Sequence, residues 1–207
     1  MAPGVFIALE GIDGSGTTTH SRLLVDAFRE ADPSREVVHT REPSETVVTD
    51  LIRGWLDPGG PKIDKRALCL AFVLDRYLHV HQVIAPALER GAVVVCDRYK
   101  LSTIAYQTME LPEEWVLSLI AGPDPDLYVL LDVDPELALT RVLGRGTTLD
   151  RYESRLDFQR RVAAQYHFAV NTTDVPTVTI TTDDISIAEA HAKVRAAVDR
   201  LARVDLA

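Results

Sequence analysis

The chain is predicted to be a three-layer α/β sandwich around a five-stranded, mainly parallel sheet, and three observations carry that reading. Two continuous apolar runs, over residues 92–96 and 127–133, lack the polar alternation of a half-exposed strand, as in parallel strands covered on both faces. Strand-like runs alternate with segments of helical period, the order that builds a parallel sheet through helical crossovers. The chain also opens with a strand, a glycine-rich turn and a helix in immediate succession over residues 5–31.

Residues 5–10 read as the first strand and 17–31 as an amphipathic helix. The second strand is expected over 37–40, and after the break at Pro43-Ser44 a helical pattern covers 45–56. The turn-rich Asp57-Pro58-Gly59-Gly60-Pro61 is a loop and not a linker, because helical pattern resumes over 64–90, with a kink expected at Pro86. The runs at 92–96 and 127–133 are the third and fourth strands, and 177–181 is a fifth of weaker pattern. After Ser186, Ile187, Ala190, Val194, Val198 and Leu201 share one stripe of a helix that would seal a sheet face. No internal repeat appears, so residues 1–207 are expected to form one domain.

Composition excludes several classes of function. With 22 basic and 31 acidic residues, a net charge of -9 and no basic run, the chain lacks the footprint of a nucleic-acid-binding protein. No early segment joins a basic stretch to an apolar one, and no apolar stretch approaches about 18 residues, so neither secretion nor membrane spanning is expected and the cytoplasm is the expected compartment. Cys69 and Cys96 are isolated in apolar settings and read as buried and reduced. His79 and His81, two residues apart, diverge on a helix and make a poor metal pair.

Gly11-Ile12-Asp13-Gly14-Ser15-Gly16-Thr17-Thr18 matches the phosphate-binding loop GxxxxGK[ST] at every position but one. The glycines bring backbone N–H groups against a polyphosphate at a helix N-terminus, and the Thr18 hydroxyl is the type that ligates Mg2+. Thr17 stands where the motif has its lysine, so the loop lacks the cation that reaches the β- and γ-phosphates. Two other readings stay open: a glycine-rich turn without ligand, and a nucleotide-binding loop whose turnover has decayed. The second strand runs into Arg41-Glu42-Pro43 and the third into Asp97-Arg98-Tyr99, and ligands of such sheets sit at strand carboxyl ends. Asp97 fits a carboxylate that orders Mg2+, or a helix-capping or salt-bridging aspartate. Arg41 and Arg98 fit a bidentate clamp on a second phosphate; either alone reads equally as a surface arginine.

The phosphate loop, Thr40-Arg41-Glu42-Pro43, Phe72-Val73-Leu74-Asp75-Arg76, Asp97-Arg98-Tyr99 with Ser102 and Ala105-Tyr106-Gln107, and Leu149-Asp150-Arg151-Tyr152-Glu153 occur in an order and at spacings that resemble the thymidylate kinase family. Pro125-Asp126-Leu127, the strand ending at Asp132 and Pro135 through Arg141 extend the similarity over nearly the whole chain. The resemblance implies the nucleoside monophosphate kinase type of P-loop NTPase fold with a short lid, and ATP- and Mg2+-dependent conversion of dTMP to dTDP, a step of dTTP synthesis. It implies that Phe72 stacks on thymine, Arg76 bonds its carbonyl edge, and Arg41 and Arg98 hold the monophosphate. Tyr106 would lie beneath the deoxyribose with Ser102, Thr103 and Gln107 nearby, and Asp13 would reach the sugar 3′-hydroxyl or the metal shell. The loop residues Gly11, Asp13, Gly14, Ser15, Gly16, Thr17 and Thr18 would hold ATP, with Thr18 and Asp97 at the metal. From periodicity alone Phe72 reads as core; the resemblance reverses that.

Residues 144–155 carry glycines and arginines and read as a lid. Ile12, Asp13, Gly14 and Ser15 bring no positive charge to the loop, whereas Arg145, Arg151 and Arg155 lie in or beside the lid, resembling the family arrangement that keeps its basic residues there. Arg145 and Arg151 are therefore expected to act at the donor phosphates alongside Arg98, Asp97 and Asp13; a solvated helix entrance is the alternative. The resemblance also implies a homodimer through the long helices. Another monophosphate kinase of the same fold, and a nucleotide-binding regulatory protein without turnover, are the competing functions.

Overall fold

A computed structural model of the chain describes residues 3–144 and 156–204. Five strands, β1 (Val5–Glu10), β2 (Val37–Arg41), β3 (Val93–Asp97), β4 (Leu127–Asp132) and β5 (Thr177–Thr181), form one sheet in the order β2-β3-β1-β4-β5. Every pairing is parallel. The expected three-layer α/β architecture is the observed one.

Strand parity sorts the core into two halves. Phe6, Ala8, Val94, Cys96, Tyr128 and Leu130 face one side, where α5 (Lys100–Gln107), α7 (Pro135–Leu143) and α8 (Leu156–Val170) contribute Leu101, Ala105, Ala138 and Val162. Ile7, Leu9, Val93, Val95, Val129 and Leu131 face the other, against Leu24 and Val25 of α1 (Thr17–Ala31) and Val194 and Val198 of α9 (Ile187–Val204). Burial on both faces explains why β3, with all five residues buried, reads as an unbroken apolar run. Cys69 and Cys96 are free and buried, and burial pushes the Cys69 thiol up to about 11.

Three local features depart from the sequence reading. The helix expected over 45–56 begins only at Thr49, as α2 (Thr49–Leu56), because the preceding segment is bent around Asp75. The Ser44 N–H, the Ser44 hydroxyl and the Thr46 hydroxyl all donate to that buried carboxylate, at 2.8, 3.0 and 2.5 Å. The long helix consists of α3 (Lys65–His79), a π-helical turn over Val80–Ile84 and α4 (Ala85–Glu89). The irregularity thus precedes Pro86, which sits in the first turn of α4, where its missing N–H is tolerated. Helices α5, α6 (Glu113–Leu119) and α8 are absent from the sequence reading. By length and composition Lys65–Glu89 is apolar enough to cross a membrane, with an 18-residue window of mean hydropathy 1.2, although no such stretch was expected. Its Asp75 and Arg76 are, however, buried and paired within the protein.

Register sets the site. Leu9 lies level with Asp97, and Arg41 with Asp97, so the carboxyl ends of β1, β3 and β2 finish side by side. The connection from β1 leads toward β2 and that from β3 toward β4, making the gap between β1 and β3 the point where the winding reverses.

Candidate active site

At the end of β1 the chain turns through the phosphate loop into α1. Gly14 has φ +90°, and a Cβ there would come within 2.4 Å of the Ala138 carbonyl oxygen, so the loop packs where only glycine fits. Gly16 caps α1 in the left-handed region at φ +103°. The Ser15 N–H donates to the Ile12 carbonyl, and the first intrahelical bond runs from the His20 N–H to the Gly16 carbonyl, which leaves the amides of the first helical turn available to an anion. No acidic residue occupies the first turn of α1 to neutralise its positive end.

A polar cavity above this loop is lined by Asp13, Gly14, Gly16, Thr17, Thr18, Thr19 and Arg98. The Thr18 hydroxyl donates to Asp97 Oδ2 at 2.5 Å, across the gap between β1 and β3. Asp97 Oδ1 is buried and without a partner among the described residues. A hydroxyl bonded to a carboxylate that keeps one oxygen spare is a hard-oxygen donor pair that fits Mg2+. Thr17 is buried and brings no charge, so Arg98 is the only cation among the described residues lining this cavity.

Arg98 also lines the neighbouring cleft. Its backbone is in the left-handed region at φ +70°, unusual for a residue with a side chain, and its N–H donates to the Leu9 carbonyl at 2.8 Å. Its Nη1 donates to the Gly11 carbonyl at 2.7 Å and to the Tyr166 hydroxyl at 2.9 Å, and its Nη2 to Asp13 Oδ1 at 2.5 Å. Burial acts to lower its pKa, but Tyr106, Asp13, Tyr166 and Asp97 outweigh burial and hold it well above the ordinary guanidinium value, so it stays charged. The Tyr106 hydroxyl donates to Asp13 Oδ2 at 3.1 Å, which closes a ring of contacts among Arg98, Asp13 and Tyr106.

The cleft brings together Asp13, Phe72, Arg76, Arg98, Ser102, Thr103, Tyr106 and Gln107, all of the expected acceptor residues except one. Arg41 lines neither cavity. It is the last residue of β2 and is exposed. Strand parity explains this. Val38 packs into the core half beneath the cleft and Thr40 bonds His79 of α3, whereas Val37 packs against the α1 side and His39 bonds Ser21 of α1. Arg41 falls in the second set, and Glu42 takes the place on the cleft wall.

A family model described as thymidylate kinase matches residues 9–194. The chain is 40% identical over 169 residues to the probable thymidylate kinase of Pyrococcus abyssi, covering 79% of this chain and 81% of that protein. It is 44% identical over 171 residues to the thymidylate kinase of Thermomicrobium roseum, covering 79% and 80%. The chain belongs to the thymidylate kinase family. A crystal structure of thymidylate kinase from Ehrlichia chaffeensis superposes with a TM-score of 0.75 at 28% identity, covering 95% of this chain and 99% of that one.

In this family member Arg145, Arg151 and Arg155, expected in or beside a lid, lie outside the described residues. The sequence reading missed several groups that the fold delivers to the site. Glu10 is fully buried and accepts from the Tyr99 and Leu101 N–H groups at 2.9 and 3.1 Å and from the Ser102 hydroxyl at 2.6 Å. Burial pushes its carboxyl up to about 7 against those hydrogen bonds and the nearby Arg98 and Arg76. Tyr166 of α8 bridges Ser102 and Arg98. Lys65 and Glu110 pair at the rim, and Arg141 approaches the Gly14 carbonyl at 3.5 Å. Glu10 left one readable signal, a carboxylate ending an apolar strand directly before the loop. Tyr166 left only the helical spacing of Phe158, Val162, Tyr166 and Val170, which marks a packed face and not a site.

Proposed function

We propose that this chain transfers the γ-phosphoryl group of ATP to dTMP, giving dTDP and ADP in a Mg2+-dependent step of dTTP synthesis. The observation that carries the reading is Arg98: one half-buried guanidinium lines both the phosphate-loop cavity and the acceptor cleft. A phosphate oxygen of dTMP forms the new bond to the γ-phosphorus as the bond to the ADP oxygen breaks. Little covalent chemistry is asked of the protein beyond in-line placement and charge neutralisation. Phe72 and Tyr106 offer apolar faces to base and sugar, Arg76 donates to the base, and Asp13 holds Arg98 while facing both cavities. Thr18 and Asp97 would hold Mg2+, which when bound neutralises charge on the donor phosphates. Arg41, for which the cleft offers no contact, keeps the acceptor phosphate only if the end of β2 turns.

The positive charge that Thr17 omits is assigned to Arg98, with Arg145 and Arg151 of a lid over about 144–155 of a single domain. A homodimer accords with the exposed apolar side chains Leu70, Leu74 and Tyr77 of α3 and Leu51 of α2. A cytoplasmic location accords with two free, buried cysteines. An ADP-release assay over dTMP, dUMP, dCMP, dGMP and AMP tests the reading: dTMP is expected to be best, dUMP poorer and the others much poorer, with turnover abolished by chelating Mg2+. Thr17 specifically favours one competitor, a binding protein without turnover. That competitor wins if dTMP and ATP both bind and no ADP is released; AMP or dCMP as best acceptor gives the site to another monophosphate.

A further inference from the structure

Arg76 is 3% exposed, yet its nitrogens are unequally used. Nε donates to Glu42 Oε2 at 2.8 Å, and Nη2 donates to the same oxygen at 2.5 Å, to the Tyr99 carbonyl at 3.0 Å and to the Thr103 hydroxyl at 2.8 Å. Nη1 is buried and has no partner among the described residues, although Arg76 lines the cleft. Behind it both carboxylate oxygens of Glu42 are committed: Oε2 to Arg76, and Oε1 to His79 Nδ1 at 3.2 Å. His79 Nε2 in turn lies 2.6 Å from the Thr40 hydroxyl. The neutral imidazole with its proton on Nδ1 satisfies both contacts, donating to Glu42 and accepting from Thr40.

We propose that Glu42, braced by His79, is the positioning residue that fixes Arg76 as a donor at Nη1 and so makes the cleft choose pyrimidines with a carbonyl at ring position 4 over those with an amino group there. This rests on the reading of the cleft as the nucleotide acceptor site. A guanidinium has donors and no acceptor, so it satisfies a carbonyl and confronts an amino group donor to donor. A freely turning arginine would escape that clash by swinging toward another partner. Here three acceptors sharing the two Nη2 protons, one bond from Nε and the Tyr99 ring 5.0 Å from the guanidinium carbon deny it the rotation. A buried donor left unpaired disfavours the wrong base by about five- to a hundredfold, which is the selectivity the brace protects.

The test compares wild type, Glu42→Gln, Glu42→Asp and His79→Gln by kcat/KM for dTMP, dUMP and dCMP, alongside thermal melts and calorimetric binding of dTMP and dCMP. Glu42→Gln is expected to cut the dTMP-to-dCMP ratio about tenfold, through the KM for dTMP, with kcat changed less than about threefold. The dTMP-to-dUMP ratio should hold, because both bases carry the same carbonyl. His79→Gln, which keeps only one of the two ring contacts, should lower the ratio less, and Glu42→Asp should recover part of the Glu42→Gln loss. An unchanged dTMP-to-dCMP ratio in folded Glu42→Gln overturns the proposal, as does an equal fall in kcat for every substrate. Should Glu42→Gln fail to fold, His79→Gln and Glu42→Asp decide by the same ratio. A wild type that binds dCMP as well as dTMP defeats the functional reading itself, whereas a discriminating wild type with an equally discriminating Glu42→Gln defeats only the positioning role.

Discussion

The acceptor side of the active cleft keeps its charges in pairs, Arg76 buried with Glu42 and Arg98 half-buried with Asp13, whereas the phosphate side is walled by glycines and threonines and borrows its cation from Arg98. The first half recognises its ligand through side chains braced by other side chains. The second presents backbone amides at a helix start, a geometry that survives the exchange of a lysine for Thr17 because glycines set it. Substitutions should therefore act differently in the two halves. Loss of a braced side chain strands a buried partner, and a change among the threonines mainly adds or removes charge.

The sharpest way to break the comparison is at the cation the halves share. Arg98→Ala is expected to lower kcat/KM by about a thousandfold or more, since it removes the only described cation of the loop cavity together with the acceptor-side pair. Steady-state kinetics varying dTMP and ATP separately should show both sides affected. A loss confined to the KM for dTMP would mean that the phosphate side draws its charge elsewhere.

A smaller effect should come from restoring what the loop lacks. Thr17→Lys adds a charge-assisted contact of about 1.5 to 3 kcal/mol at the donor phosphates and should recover roughly tenfold of the activity lost in Arg145→Ala or Arg151→Ala. The melting temperature should move little, because the loop backbone is fixed by Gly14 and Gly16. Double variants no better than the single lid variants would remove charge as the explanation.

The smallest effect is silent at neutral pH. His20, 3% exposed on α1 behind Gly16, is held down at about 4 by burial and by His191, its stacked neighbour at 6.0 Å. The unfolded chain takes up a proton near the ordinary 6.5 that the folded chain declines until about 4, so stability is intact above 6.5 and lost as pH falls through that window. The loss is about 2 to 3 kcal/mol at most. Denaturant titrations at pH 7.5 and 4.5 should show His20→Leu losing less than wild type between the two. Equal losses would place the acid sensitivity of this half elsewhere.

Much of the site was readable because it is local. The phosphate loop, Asp97-Arg98 at a strand end and Phe72 with Arg76 one helical turn apart each declare themselves within a few residues, and two cavities that share Asp13 and Arg98 bring them together. The start of α2 was not readable, because Asp75, 31 positions away from Ser44, decides where the bend ends. Nor was the choice between Arg41 and Glu42.

By itself, then, the sequence determined the order of the strands along the chain, the anion-binding turn and the set of charged groups near the strand ends, since period, glycine spacing and apolar runs are properties of neighbouring residues. Tertiary structure alone decided which charges meet. β2 runs one residue further than its pattern, to Arg41, and strand parity then turns Arg41 outward and Glu42 onto Arg76. α8, absent from the sequence reading, carries Tyr166 to Ser102 and Arg98. Pairings of this kind depend on register and on packing between segments far apart in the chain, and no local pattern encodes the distance between them.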